Sequence, residues 1–276
     1  METRVGGDKA KEIIDRLPFD GAIRAETIGY ASGIWLLWNS DRVTVMQLAS
    51  MEQEIHVEVK VLPSNLSWIL SVVYASPRIV ERQVLWENLA KVAELHSKPW
   101  IIAGDFNESL VEADKFGGRL VSINRSLLFK DCLDKCNMVD MGFSGPRYTW
   151  TNRREINNLI QERIDRVFMN PSWCLLYPDA KVSHLTRCHS DHCPILLQTN
   201  PIRQLHLTRP FKFQSFWCRA LPFLMWLSKL GSSRGIFLKQ LKFFLVRLVY
   251  GTRTISGIFF IKRKGCWPGL MVCKGR

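Results

Sequence analysis

Three short motifs hold the side chains best suited to chemistry, and they follow one another along the chain. They are Gly104-Asp105-Phe106-Asn107-Glu108, Arg163-Ile164-Asp165-Arg166 and Ser190-Asp191-His192-Cys193-Pro194-Ile195. Each sets acids, an amide or an imidazole at the end or start of an apolar run, where a β-sheet can aim them into one cleft. Carboxylates bind hard cations and accept protons, and an imidazole exchanges a proton near neutrality. Taken singly the motifs are weak. The Gly-Asp-Phe-Asn turn reads equally well as a polar strand exit, Asp165-Arg166 as a surface ion pair, and Asp191-His192 as an incidental dipeptide. Their order and spacing together make chance a poor account. The joint pattern predicts that Asp105, Asn107, Asp165, Asp191 and His192 converge on one cleft, with His192 hydrogen-bonded to Asp165.

The elements that must position these groups are legible as periodic runs. Asp8 to Leu17 reads as a helix, apolar at Ala10, Ile13, Ile14 and Leu17, and stops before Pro18. Strands are expected at Gly33–Asn39, Val43–Leu48, Ile55–Val61 and Trp68–Tyr74, the third by strict polar–apolar alternation. An amphipathic helix over 80–96 leads to an apolar strand, Trp100–Asp105, and a second helix covers 125–136. Tyr148–Asn152, Arg163–Met169, Ala180–Thr186 and Asp191–Leu197 complete the strands. Strands outnumber helices, and helices do not separate every strand pair. That favours an α+β fold, a layered α/β sandwich, over a doubly wound parallel sheet.

The three motifs resemble those of the endonuclease/exonuclease/phosphatase superfamily, which includes apurinic endonucleases, DNase I, inositol polyphosphate 5-phosphatases and sphingomyelinases. The resemblance covers residues 1 to about 200. Its retrotransposon branch fits best, that of plant LINE-type (non-LTR) elements. The carrying segments are Leu70-Ser71-Val72-Val73-Tyr74-Ala75-Ser76-Pro77, Trp100 to Glu108, Tyr148-Thr149-Trp150-Thr151-Asn152 and Arg163-Ile164-Asp165-Arg166-Val167-Phe168. Arg209-Pro210-Phe211-Lys212-Phe213 is similar to the segment that leads from such an endonuclease towards a reverse transcriptase, a partner domain expected in a full-length element and absent from this sequence. The resemblance implies a four-layer sandwich, two packed mixed β-sheets flanked by helices, here with the first strand missing. It also implies an Mg²⁺-dependent phosphodiesterase, or one using Mn²⁺ in its place, that cuts DNA to leave a 3′-hydroxyl and a 5′-phosphate.

Roles follow residue by residue from that resemblance. Asp105 matches the carboxylate that positions or deprotonates the attacking water, and Asn107 an amide that binds a phosphate oxygen or orients the water. Tyr74 matches a tyrosine whose hydroxyl donates to the phosphate, although a strand-end tyrosine is as often a packing residue. His192 matches the imidazole on the scissile phosphate and Asp165 the carboxylate that orients it. Glu2 and Asp191 match acids at the metal. Glu2 alone would read as an ordinary exposed N-terminal charge. Thr149, Trp150 and Asn152 lie where relatives line the DNA groove, with a buried Trp150 at least as good a reading. The inventory suits the reaction. A hard cation neutralises an anionic diester, a base activates water, and preorganised donors take up the transition-state charge.

Composition adds boundaries. The net charge of +13 suggests a nucleic-acid binder, yet residues 201–276 hold fifteen Lys/Arg and no acid, leaving 23 basic and 25 acidic residues in 1–200. The basic excess therefore belongs to the tail and says little about the main domain. Residues 201–217 read as an exit linker and 218–276 as a basic tail, out of frame or poorly packed; its stretch 237–250 could also form a basic amphipathic helix. The eight cysteines show no paired zinc spacing. No apolar run reaches the ~20 residues of a membrane span. With no signal peptide visible, a nuclear or cytoplasmic protein is expected. The superfamily's first-strand asparagine is missing and Glu2 has no upstream strand, so a weak nuclease, or an inactive relic of one, is expected. A phosphatase of the same superfamily is the remaining reading; its Trp-Cys-Asp-Arg motif is replaced by Glu162-Arg163-Ile164-Asp165-Arg166.

Overall fold

Two strands with apolar residues at nearly every position lie at the middle of the fold. Ser67–Tyr74 (β5) and Trp100–Asp105 (β6) pair in parallel, from Ile69 opposite Trp100 to Tyr74 opposite Asp105. Such runs are buried on both faces, as strands at the centre of a layered fold must be. The helix Ile79–Leu95 (α2) makes the crossover between them. The computed structural model describes residues 7–25, 33–62, 64–188 and 190–201, and the backbone of 258–259. Glu2, the linker after Pro201 and the rest of the basic tail lie outside the described residues.

Ahead of β5 come a helix, Gly7–Ile14 (α1), and four strands: Gly21–Ala25 (β1), Ile34–Trp38 (β2), Val43–Met51 (β3) and Glu54–Val61 (β4). After β6 follow Lys115–Phe116 (β7), helix Ile123–Lys135 (α3), Val139–Asp140 (β8), Trp150–Thr151 (β9), Gln161–Glu162 (β10) and Asp165–Met169 (β11). Helix Pro171–Leu176 (α4) and strands Lys181–His184 (β12), Ile195–Gln198 (β13) and Ile258–Phe259 (β14) complete the order. The large sheet runs β3-β4-β5-β6-β11-β8 and is mixed, β5–β6 being parallel and the other pairs antiparallel. Smaller antiparallel sheets are β1-β2, β7-β10-β9 and β12-β13-β14.

Side-chain alternation splits the core into two layers on either side of the large sheet. On one face Val57, Leu70, Val72, Tyr74, Ile101, Ala103 and Val167 pack with Ile34 and Leu36 of β2 and with Val182, Ile195 and Leu197 of β12–β13. On the other face Ile69, Val73, Trp100, Ile102 and Phe168 pack under α2 and α3. Trp86, Phe106 and Phe129 stack there, with Phe168 edge-on to both phenylalanines. The sheets are thus packed on one another with helices outside, the α+β sandwich expected. Among the described residues no helix is long and apolar enough to cross a membrane, and Cys132, Cys136, Cys174, Cys188 and Cys193 are free thiols.

Some elements differ from the sequence reading. The first helix ends at Ile14 rather than Leu17, and Asp191–Pro194 precede β13 rather than opening it. Helix α4 was not expected, although its signals are in the sequence: Asn170 accepts from Trp173 N at 2.9 Å as N-cap, and Pro171 takes the first helical position. The tiny strands β7, β8 and β10 lack any period long enough to read.

Candidate active site

The parallel pairing of β5 and β6 sets Tyr74 beside Asp105 at the strands' C-terminal ends, and antiparallel β11 brings Asp165 opposite Asp105 on the other side. Asp105 shares its side of the sheet with Ala103 and Ile101, and Asp165 with Val167, so both carboxylates lie at the rim of the layer between the sheets. Gly104, within β6, allows the close approach of β5. Its φ is +152°, and a Cβ there would stand 1.8 Å from the Val73 carbonyl oxygen.

His192 reaches the same point from the segment before β13. That segment is held by a short ladder to β9: Thr151 N donates to Asp191 O at 3.0 Å and Cys193 N to Thr149 O at 2.7 Å, with Trp150 bridged to His192. The ring then lies between two carboxylates. His192 Nδ1 is 2.7 Å from Asp165 Oδ2, and Nε2 is 3.9 Å from Asp105 Oδ2. Asp105, His192 and Asp165 are 1%, 2% and 4% exposed. Three such groups are buried together only where they hydrogen-bond or meet an ion. Their ligand atoms lie within 4.8 Å of one another. Two carboxylates and an imidazole are a donor set that a divalent cation accepts, so the residues present fit one. Asp165 Oδ2 is engaged by His192 and Asp105 Oδ1 by the Asn107 N–H.

Asn107 is half-buried and left-handed, with φ +46°, a conformation asparagine tolerates better than most residues. Its N–H donates to Asp105 Oδ1 at 3.0 Å and its Nδ2 to the Ala75 carbonyl at 2.7 Å, which ties the loop after β6 to the loop after β5. Asp191 sits half-buried beside the cluster, and the Trp150 indole donates to its Oδ2 at 3.3 Å.

The structure corrects one groove residue and qualifies another. Thr149 is fully buried, and its hydroxyl accepts from Ile164 N at 3.1 Å and Asp165 N at 3.0 Å. It is a positioning residue for Asp165, with no surface left to line a DNA groove. Asn152 is half-buried and spends its amide on its own loop, donating to Asn158 O at 2.8 Å and accepting from Ile160 N at 3.0 Å. Trp150 is half-buried. Tyr74 is buried in the inter-sheet layer.

Sequence reasoning missed the bracing behind these groups. Arg82, 1% exposed, donates to Ser76 O at 2.7 Å and to Glu108 Oε2 at 2.8 Å, and Arg125 Nε meets the same oxygen at 2.8 Å. Burial pulls the Arg82 guanidinium below its usual range; Glu108 opposes this, Arg125 adds to it, and Asp105 lies close enough to oppose it as well. On the other flank Arg166 bridges Asp114 and Asp140, and Arg163 Nη2 meets Asp140 at 2.8 Å. Glu108, Arg163 and Arg166 all stand inside the quoted motifs, but nothing in their spacing announces partners at 82, 114, 125 or 140.

A family model described as the Endonuclease/Exonuclease/phosphatase family matches residues 8–192, a span that includes all three motifs. Similar solved structures include the endonuclease domain of TRAS1, a telomere-specific non-LTR retrotransposon, at 16% identity over 64% of this chain and 78% of that one, with a TM-score of 0.50. A Bacteroides thetaiotaomicron mannosyl-6-phosphatase aligns at 14% identity over 69% and 80% of the two chains, TM-score 0.45. D. rerio TDP2 complexed with a single-strand DNA product aligns at 14% over 68% and 80%, TM-score 0.42. Likeness at such identity, the TRAS1 domain's above all, is one of fold. No curated protein matches the sequence significantly.

Proposed function

This chain belongs to the endonuclease/exonuclease/phosphatase family, and from that premise we propose that it is a divalent-metal-dependent phosphodiesterase acting on DNA, an endonuclease of non-LTR retrotransposon origin. The observation that carries the reading is the buried Asp105–His192–Asp165 line at the rim of the sheets. Asp165 holds Nδ1, and the opposite ring nitrogen, Nε2, is assigned as the donor to a non-bridging phosphate oxygen. Asp105, braced by the Asn107 N–H, orients the attacking water and takes its proton. Trp150 anchors Asp191 at the mouth of the site. Asp191 and Glu2, both by resemblance, would hold Mg²⁺ or Mn²⁺, which would supply neutralisation of the diester charge. The products are a 3′-hydroxyl and a 5′-phosphate; in a plant LINE-type element that hydroxyl would prime a reverse transcriptase.

The test is nicking of supercoiled plasmid with Mg²⁺ present or chelated, beside Asp105→Ala. We expect metal-dependent nicking that falls by roughly 10²–10⁴-fold in the variant, the range a positioned base supplies. Nicking indifferent to Asp105→Ala overturns the reading, and none at all by the unaltered chain selects the inactive relic in its place.

A further inference from the structure

Every deeply buried arginine of the described residues meets a carboxylate: Arg82 meets Glu108, and Arg163 and Arg166 share Asp114 and Asp140. Arg147, exposed, and Arg187, half-buried, have a different environment. Among the described residues, Arg147 Nε donates to the Ala113 carbonyl at 2.9 Å and Arg187 Nη2 to the Tyr148 carbonyl at 3.3 Å, and neither forms an ion pair. Arg187 Nε is buried and has no oxygen acceptor among the described residues, while its side chain lies against the Cys193 thiol. Both arginines line one cleft, with Tyr148, Gln161, Thr186 and Cys193. The cleft therefore brings together two arginines without a carboxylate partner among the described residues, an amide, a hydroxyl and a thiol. Those features describe a receptor for an anion with several oxygens, which a guanidinium fork matches.

Its position says which anion. Cys193 follows His192 directly, and its N–H donates to Thr149 O at 2.7 Å. Tyr148 precedes Thr149, the residue that holds Asp165. The cleft thus borders the two chain segments that carry His192 and the residue that holds Asp165. It holds about 280 Å³, several times the roughly 30 Å³ share of one water, so a backbone phosphate with its sugar fits.

We propose that the Arg147–Arg187 cleft is a second phosphate subsite, which takes a backbone phosphate of the polynucleotide flanking the one at His192. The inference rests on the phosphodiesterase reading and deepens it. A phosphomonoester has a single phosphate and would leave this cleft empty, whereas a DNA strand fills both positions. The cleft is then the feature that selects a polymer over a small phosphate ester.

The test is equilibrium binding of a fluorescent duplex oligonucleotide, in chelator so that no cleavage occurs, over a series of salt concentrations. Arg147→Gln with Arg187→Gln should weaken binding roughly tenfold and make the log K against log salt slope shallower by about 0.9, the value of one neutralised phosphate. A neutral methylphosphonate linkage walked along the oligonucleotide should weaken the unaltered protein at one position and leave the double variant indifferent there. Arg147→Gln alone, at an exposed position, gives a variant that folding defects do not confound, and it should show part of the loss. Affinity and slope equal to the unaltered protein in all variants overturn the subsite, while metal-dependent nicking by the unaltered chain leaves the phosphodiesterase reading standing. Binding lost as expected, in a chain that nicks nothing, keeps the subsite and sinks the catalytic reading. No binding of DNA by the unaltered chain overturns both.

Discussion

Two buried arginine clusters brace the site from opposite flanks, and they are built on different arithmetic. Behind β11, Arg163 and Arg166 face Asp114 and Asp140, two bases against two acids, and Asp114 Oδ2 also accepts the N–H of Val111 at 3.0 Å. Behind β5 and β6, a single acid, Glu108, serves both Arg82 and Arg125 through one oxygen. The first cluster is neutral and redundant, since each arginine has two carboxylates within reach. The second has one excess positive charge and depends on one residue. That excess stands near Asp105 and thus suits a loop that must hold a carboxylate and present an amide to an anion. Redundancy lies where the fold needs a rigid wall, and charge imbalance where the proposed chemistry needs a field.

The sharpest way to break this comparison is at Glu108. Glu108→Ala leaves Arg82 buried without an acid and releases Arg125, and removal of one partner of a buried pair costs about 3–5 kcal/mol. Urea unfolding should show a midpoint lowered accordingly. A loss below about 1 kcal/mol would mean that Arg82 finds another acceptor and that the single-acid account is wrong. Asp114→Asn comes next. Arg166 and Arg163 retain Asp140, and the amide oxygen can still accept the Val111 N–H, so the loss should stay within about 1–3 kcal/mol. A cost matching that of Glu108→Ala would remove the claimed redundancy.

The same comparison shows what the sequence could reveal. Asp105, Asp165 and His192 were legible because each ends or starts an apolar run, and strand ends are where a sheet delivers side chains to a cleft. Thr149 was set in the groove by resemblance alone, while strand alternation turns its hydroxyl inward to two backbone N–H groups. The arginine clusters were illegible for another reason. Arg82 sits on a helix where an arginine is ordinarily a solvated residue, and its partner lies 26 positions on. Long-range ion pairs leave no period in a sequence; they are products of topology, here of α2 returning across β5 and β6. Helix α4 is the opposite case, a local cap and proline that could have been read.

The smallest expected effect separates the two arginines that share Glu108. The Arg125 side chain is 42% exposed and that of Arg82 is 2% exposed, although their distances to the carboxylate oxygen are the same 2.8 Å. Equal geometry would suggest equal contributions if contact length set the energy. Solvation argues otherwise. Arg125 keeps a substantial part of its hydration and can turn to water when Glu108 is lost, so the pair behaves as a partly exposed salt bridge worth about 0.2–1 kcal/mol. Removing Arg125 also relieves the crowding of two like charges on one oxygen, a repulsion visible in its downward pull on the Arg82 guanidinium. Arg125→Ala should therefore lower the urea midpoint only slightly, and much less than Arg82→Ala, which strips Ser76 O and Glu108 of a buried donor. The salt dependence should differ too, the Arg125 increment fading at high ionic strength and the Arg82 increment persisting. Equal losses for the two variants, with equal indifference to salt, would show that Glu108 and both arginines act as one buried unit and that the exposed member is as deeply committed as the buried one.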